Sequence, residues 1–457
     1  MENRSNKAAN SWSDVVGLSD LAILSSGKGV IVALIDSGVD TNNPIFASAL
    51  WQNKSELLND KTLNEISDEN FNGIDNDGVD NDSNGYIDDI HGWNFGDNSN
   101  SITDQNGHGT NVAGIVLKSV PDAELMIIKI NSGKSTTFYT DAVVNAIYYA
   151  VKNGADIINM SLSLANDSND VKTAILYAIK NEVIVVSAAG NSPYSISFPG
   201  TMEEVVTVGA TNPEGTSILW NSPIGDSIDI TAPGKSVETI GIGGETVFVT
   251  GTSFSTPVVS GAVAALLGMN PNLKLTTIEN LIFSSAKDLG DNGRDDEFGW
   301  GVLSGSGIKR LAAPSIIAKK NLTKVELSCY LPPTDYYTDV YIALIKSSLL
   351  DEYKMNRYKG NADTLQYSLN NKTYESIWWL NSYGLWMGDS VNGVVSIASL
   401  NLYNKGLSVL LFSDLGKGIW KNFSTSGFES GSYNIGIAVM GNSKLLAPIF
   451  WSQSILF

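Results

Sequence analysis

Between Gly29 and about Ile308, short and nearly continuous apolar runs alternate with segments whose apolar residues recur three and four apart. The runs "VIVALI" (ending beside Asp36), "ELMIIKI", "ADIINMSLS", "EVIVVSAAGN" and "VVTVGAT" are rich in valine and isoleucine. Strands that read this way are covered on both faces, as in parallel sheets. Between them lie "TDAVVNAIYYAVKNG" and "DVKTAILYAIKNE", two helical patterns with polar N-terminal caps, the first expected to end at Gly154. Strand and helix therefore alternate, which predicts an α/β fold built on a doubly wound, mainly parallel sheet.

Beyond about Arg310 helical periodicity is scarce. The stretch "LAAPSIIAKKNLT" reads as a connector, and a period of two replaces the helical one: Tyr433, Ile435, Ile437 and Val439 alternate, and "NLYNKGLSVLLF" reads as two strands around Asn404–Gly406. The expected organisation is an α/β domain over 1–310, a linker over 311–322 and an antiparallel, sandwich-like β domain over 323–457. Trp378, Trp379, Trp386, Trp420 and Trp451 crowd this last third and are expected to be core before binding surface. No internal repeat or low-complexity tract interrupts the pattern.

Charge narrows the partners. With 48 acidic against 29 basic residues in 457, the formal net charge is −19, which repels nucleic acid and anionic lipid and favours cations and basic peptides. Nucleic acid is discounted. The single cysteine, Cys329, permits neither an intrachain disulfide nor a thiolate metal cluster, and is expected to be a small buried apolar residue. No apolar run is expected to span a bilayer, and the polar N-terminus "MENRSNKAANSWSD" has no signal-peptide core. These features suit either a cytoplasmic protein or a processed form.

Only two histidines are present, His91 and His108, so imidazole chemistry has two candidates. His108 lies in "NGHGTNVAGI", flanked by Gly107 and Gly109 at what reads as the start of a helix; the missing Cβ atoms let a neighbouring chain come close. Asp36 in "IDSGVD" ends a buried strand, the edge at which open α/β sheets assemble their sites. Ser253 in "GTSFSTPVVSGAVAALLGM" follows a Gly251–Thr252 turn and opens an apolar helix, with Pro257 tolerated only near its start. A serine on such a turn is held rigidly and exposed, as a hydroxyl nucleophile must be. A serine needs an imidazole to take its proton, and the imidazole needs a carboxylate to fix its tautomer. Ser253, His108 and Asp36 supply one of each. His91, at the end of an acidic stretch, is read as structural.

In the chain order Asp, His, Ser these segments resemble the subtilisin-like serine proteases, the subtilases. The resemblance covers roughly 15–310 and extends to "INMSLS", "SAAGNS", "SFPG", "VVTVGAT", "ITAPG" and "FGWGVL". It implies a serine endopeptidase acting on a protein or peptide, with Asn191 and the Ser253 N–H binding the oxyanion. It also implies a substrate groove lined by Ser161, Leu162 and Ser163 and by Ala188, Ala189 and Gly190. The chain departs from the family pattern at Phe254 and Ser255, where Met and Ala are usual, at Val258 in place of histidine, and at Ser163 in place of a glycine. The expected groove segments carry no charge, which favours a neutral or apolar side chain before the scissile bond. The alternatives are a catalytically silent peptide-binding protein using the same groove, and a narrow processing enzyme whose C-terminal domain recruits one partner.

The stretch "NGIDNDGVDNDSNGYIDDIHGWNF" places Asp80, Asp82, Asn84, Gly85 and Asp88 at positions 1, 3, 5, 6 and 9 of an EF-hand-type loop. The twelfth position, normally a bidentate glutamate, is His91, so Asp89 is expected to substitute, with Asp75 and Asp77 adding oxygens upstream. A divalent cation would relieve the repulsion among these carboxylates. Similar insertions occur in subtilases, a family that often uses calcium for stability; the expected ion is structural calcium, with no metal needed for catalysis. Cytosolic calcium is scarce, which tilts the expected setting toward the extracellular one, and the lack of a pro-domain before Trp12 fits a mature fragment or a cytoplasmic relative.

Overall fold

A computed structural model of the chain describes residues 11–57, 78–271 and 273–312, together with the backbone of strands between 315 and 456. The chain divides into two compact units, Met1–Ile308 and Lys309–Phe457.

In the first unit two short helices, α1 (Trp12–Val16) and α2 (Leu18–Leu24), lead into β1 (Ile31–Asp36). There follow α3 (Pro44–Ala47), α4 (Lys54–Leu57), β2 (Gly92–Asn94), α5 (His108–Ser119), β3 (Glu124–Lys129), α6 (Thr140–Lys152), β4 (Ile157–Met160), α7 (Asn169–Lys180) and β5 (Ile184–Ala188). The unit continues through β6 (Val206–Thr211), β7 (Ile230–Pro233), a hairpin of β8 (Val237–Ile240) and β9 (Thr246–Val249), α8 (Thr252–Met269) and α9 (Leu275–Ser285); α10 (Gly305–Ala312) begins in it and runs across the division. Strands β1 to β7 form one sheet in the order β2-β3-β1-β4-β5-β6-β7. Every neighbouring pair in it is parallel.

The apolar runs explain this sheet. Each of β2, β4, β5, β6 and β7 is buried along its full length, because helices cover both faces. On one face α6 and α7 contribute Val143, Ala146, Ile147, Val171, Ala174 and Ile175 to a core shared with Ile35, Ile128 and Ile158. Helices α5 and α8 pack on each other, and α8 also lies against β4, β5, β6 and β7. The expected stop of α6 is displaced by one residue: Asn153 caps it and Gly154 follows with φ +79°. Its N-cap is Tyr139, without a side-chain hydrogen bond, so the polar cap read for this helix is absent; α7 does have one, Ser168 accepting from the Val171 N–H.

Helix α8 corrects one expectation. By length and composition it is apolar enough to cross a membrane, yet it is buried within the domain. A helix that is hydrophobic all round belongs to a core when other elements surround it.

In the second unit, Ser315–Asn321 pairs antiparallel with Lys324–Tyr330, which pairs with Ile419–Ser424. Ser315–Asn321, expected within the connector, is thus a strand. The alternating segment Ser432–Gly441 pairs antiparallel with Asp339–Lys346. Asn404–Gly406 lie outside the described residues.

The chain passes from β1 to β3 on one side of β1 and then to β4 on the other. Such a change of direction opens a crevice at the carboxyl ends of the strands. Asp36 is the last residue of β1.

Candidate active site

Asp36 is buried, and both its carboxylate oxygens lie within hydrogen-bond reach of His108 Nδ1, at 2.8 and 3.0 Å. His108 opens α5, directly after Gly107, whose φ of +101° turns the chain into the helix. Gly109 is what allows the approach: a Cβ there would come within 2.2 Å of the Gly38 carbonyl and 3.1 Å of Asp36 Oδ1. Burial pushes the His108 imidazole down, but the Asp36 charge and hydrogen bond, together with Asp104, outweigh it and hold the group above its usual range. His91, by contrast, places Nδ1 2.8 Å from the Trp51 carbonyl, and burial lowers it.

A second buried carboxylate lies beneath this pair. Asp104 accepts from Ser37 Oγ (3.0 Å), the Asn106 and Gly107 N–H groups (both 2.9 Å), the Thr110 N–H (3.0 Å) and Thr110 Oγ1 (2.6 Å). It therefore satisfies amides at the start of α5, where a negative charge is also favoured by the helix dipole. Ser37 Oγ in turn accepts from the Gly109 N–H at 2.9 Å, and the Ser37 N–H donates to Asp36 Oδ1 at 2.7 Å. Lys129, paired in register with Asp36 and 2% exposed, donates to the carbonyls of Ser37 (3.0 Å) and Thr103 (3.1 Å). Burial pushes its ammonium below the usual lysine range, against the pull of Asp104 and Asp97. Sequence reasoning missed Lys129; its signal is a lone charge inside the run "ELMIIKI".

Ser253 sits in the first turn of α8, half-buried, after Gly251 with φ +146°. Its neighbour Phe254 packs against His108 with ring centroids 5.2 Å apart, which ties the start of α8 to the start of α5. Among the described residues no hydrogen bond joins Ser253 to His108; such contacts are often long in unliganded enzymes and tighten with substrate. Asn191, exposed, is oriented by its oxygen, which accepts from the Thr252 N–H at 3.0 Å, while the Thr252 hydroxyl donates to the Gly190 carbonyl at 2.9 Å.

Of the residues expected to line the groove, Ser163 is exposed, whereas Ser161, Leu162, Ala188, Ala189 and Gly190 are buried. Ser161 turns its hydroxyl to the Ser253 carbonyl, 2.7 Å away.

The acidic loop is only partly as read. Carboxylate oxygens of Asp82 and Asp89 come together with Glu56, from α4, all within 4.8 Å of one another, a cluster that could hold a metal ion. Glu56 was not legible as a ligand because it lies before the loop. Burial, augmented by Asp89 and Asp82 and opposed by the Asp82 and Asn81 N–H groups, pushes its carboxyl up to about 7. Burial likewise raises Asp89, against hydrogen bonds from Tyr149 Oη (2.6 Å), Asn53 Nδ2 (2.8 Å) and Asn84 Nδ2 (3.0 Å). Asp80 instead accepts from the Asn84 and Gly85 N–H groups, and Asp88 from the Gly78 N–H. Asp75 and Asp77 lie outside the described residues.

A buried carboxylate on a strand end, an imidazole on one helix start and a serine on another are the residue types from which acyl-transfer sites are built. The chain belongs to the subtilase family of serine endopeptidases, whose model matches residues 27–301. It is 36% identical to subtilisin DY of Bacillus licheniformis over 205 residues, 42% of this chain and 74% of that protein. It is 31% identical to the major intracellular serine protease of Bacillus subtilis (strain 168) over 255 residues, 52% of this chain and 69% of that one. A crystal structure of a cold-adapted subtilisin-like serine proteinase superposes with a TM-score of 0.49 at 24% identity, over 62% of this chain and 90% of the other.

Proposed function

We propose that the chain hydrolyses internal peptide bonds through an acyl-enzyme on Ser253. In this reading Ser253 Oγ attacks the scissile carbonyl while His108 Nε2 accepts its proton, and Asp36 holds the Nδ1–H tautomer and stabilises the imidazolium. The Asn191 amide and the Ser253 N–H receive the tetrahedral oxyanion. His108 then protonates the leaving amine, and a water activated by the same imidazole releases the acyl group. The observation that carries the reading is the 2.8 Å bond between His108 Nδ1 and Asp36 beside the helix that begins at Ser253. The Asn191 oxygen, committed to Thr252, leaves its NH₂ as the group offered to a substrate, which supports its oxyanion role. Ser253→Ala should abolish casein hydrolysis and fluorophosphonate labelling; labelling that survived would mean another nucleophile.

Substrates are proteins or peptides, with a neutral or apolar residue before the scissile bond. Supporting this is the uncharged groove of Ser161–Ser163 and Ala188–Asn191.

We further propose that the acidic cluster holds structural calcium, with Glu56, Asp82 and Asp89 at its centre and Asp80, Asn84 and Asp88 around it. All donors are hard oxygens, as calcium requires; burial first, and neighbouring carboxylates to a smaller degree, raise Glu56 and Asp89, and a bound cation would offset both. The peptidase domain is assigned to 1–310 and a sandwich-like β domain to 323–457, the latter supported by the antiparallel pairings there; recruitment of a partner by that domain is the alternative reading. The proposed calcium site favours an extracellular setting over a cytoplasmic one; the relatives include subtilisins and intracellular proteases, so family membership does not by itself choose a compartment.

A further inference from the structure

The carbonyl of Ser253 lies in the first turn of α8, and the residue four positions on is Pro257. In a regular helix that residue's N–H would donate to the Ser253 carbonyl, but proline has none. Ser161 Oγ takes its place at 2.7 Å. Ser161 follows β4 and is 4% exposed, so its hydroxyl is held within the fold.

The direction of every proton in this contact is determined. A hydroxyl has one proton, and a carbonyl can only accept, so Ser161 Oγ donates to Ser253 and must accept from Asn159 Nδ2, 3.0 Å away. That orients the Asn159 amide with Oδ1 toward Ser260 Oγ, at 2.8 Å, which makes Ser260 the donor there. Asn159 and Ser260 are fully buried. Ser260 stands seven residues after Ser253, two helical turns along the same face of α8. The chain of bonds thus starts on α8, passes through the end of β4 and returns to α8 at Ser253.

We propose that Ser260, Asn159 and Ser161 form a positioning relay for the Ser253 hydroxyl, substituting for the helical bond that Pro257 removes. Fixing the Ser253 carbonyl fixes the peptide plane between Ser253 and Phe254, and with it both the hydroxyl and the ring packed on His108. Ser161 also opens the segment Ser161–Ser163 expected to line the substrate groove, so the relay joins that segment to the reacting group. The inference rests on Ser253 being the nucleophile, as proposed above.

The test uses the full chain and counts active sites by titration, so that misfolded protein does not enter the rates. Ser161→Ala should slow fluorophosphonate labelling and kcat by about tenfold, less than the roughly 10²-fold that an ångström of misplacement can bring, with KM changed less than about twofold. Ser260→Ala, a milder deletion that keeps the Ser161 bond, should slow both roughly threefold, and should add nothing in the Ser161→Ala background because the two act through one path. Pro257→Ala restores an N–H four residues after Ser253 and should return most of the rate to Ser161→Ala. Wild-type labelling by Ser161→Ala, an undiminished Ser260→Ala effect in its background, or no recovery with Pro257→Ala would each overturn the relay. Labelling that persists in Ser253→Ala would overturn the proposed function instead.

Discussion

At the residue scale the chemistry turns on what surrounds His108. The Asp36 charge and hydrogen bond, with Asp104 behind them, outweigh desolvation and hold the imidazolium favourable above the free value of 6.5. A general base must be neutral, so kcat/KM is expected to rise with pH through a midpoint above 6.5, measured on a peptide substrate between pH 5 and 9. The stability term has the opposite sign. A histidine raised on folding stabilises below its unfolded value, and that contribution is lost as pH rises through the folded one. Asp36→Asn should lower kcat by about 10⁴, because the neutral amide both releases the tautomer and leaves the imidazolium unpaired. Asn191→Ala should lower kcat by roughly 10²–10³ with little change in KM, a magnitude measured on a subtilisin and carried over here. A raised KM with kcat unchanged would instead place Asn191 in ground-state binding.

At the element scale the site depends on how α5 begins. Gly109 brings the first turn of α5 against the end of β1, and its replacement by alanine would drive a Cβ into the Gly38 carbonyl. Gly109→Ala is therefore expected to reduce kcat by at least about 10²-fold, the scale of an ångström's displacement between Asp36 and His108. Asp104 caps the same turn. Asp104→Ala removes a buried acceptor serving five donors, and should destabilise the first unit by about 2 kcal/mol or more, seen as a fall in the thermal midpoint of about 3 °C or more. An unchanged midpoint would mean that water replaces it. The strands and helices themselves were legible because continuous apolar runs and three-four spacing survive folding unaltered. The polar cap of α6 was not, since Thr140 is already inside the helix and the chain turns at Tyr139.

At the scale of the whole molecule the acidic cluster links pH, metal and stability. Glu56 has its carboxyl raised from 4.5 to about 7, so in the absence of a cation the folded state binds the extra proton and loses stability as pH rises across that window. A divalent ion needs the ionised carboxylates, so its affinity should fall by about tenfold for each pH unit below about 7. Thermal unfolding with calcium and with chelator should therefore diverge progressively from pH 5.5 to 7.5. Coincident midpoints at pH 7.5 would remove the calcium assignment. Deleting 323–457 should spare cleavage of a generic peptide and impair cleavage of a cognate protein substrate, if that region recruits a partner.

The sequence alone determined the parallel α/β sheet and pointed to Asp36, His108 and Ser253 through local signals, a strand end, flanking glycines and a strand-to-helix turn; it pointed to Asn191 only through the resemblance to subtilases. Tertiary structure alone decided which distant groups meet around these residues and in the acidic cluster. Lys129 on the Ser37 carbonyl, Glu56 beside Asp82 and Asp89, and Ser161 in the place of the missing Pro257 amide are contacts between segments far apart in the chain. Spacing along one element carries no record of such partners; they are fixed when the sheet closes and every buried donor and acceptor must find its counterpart.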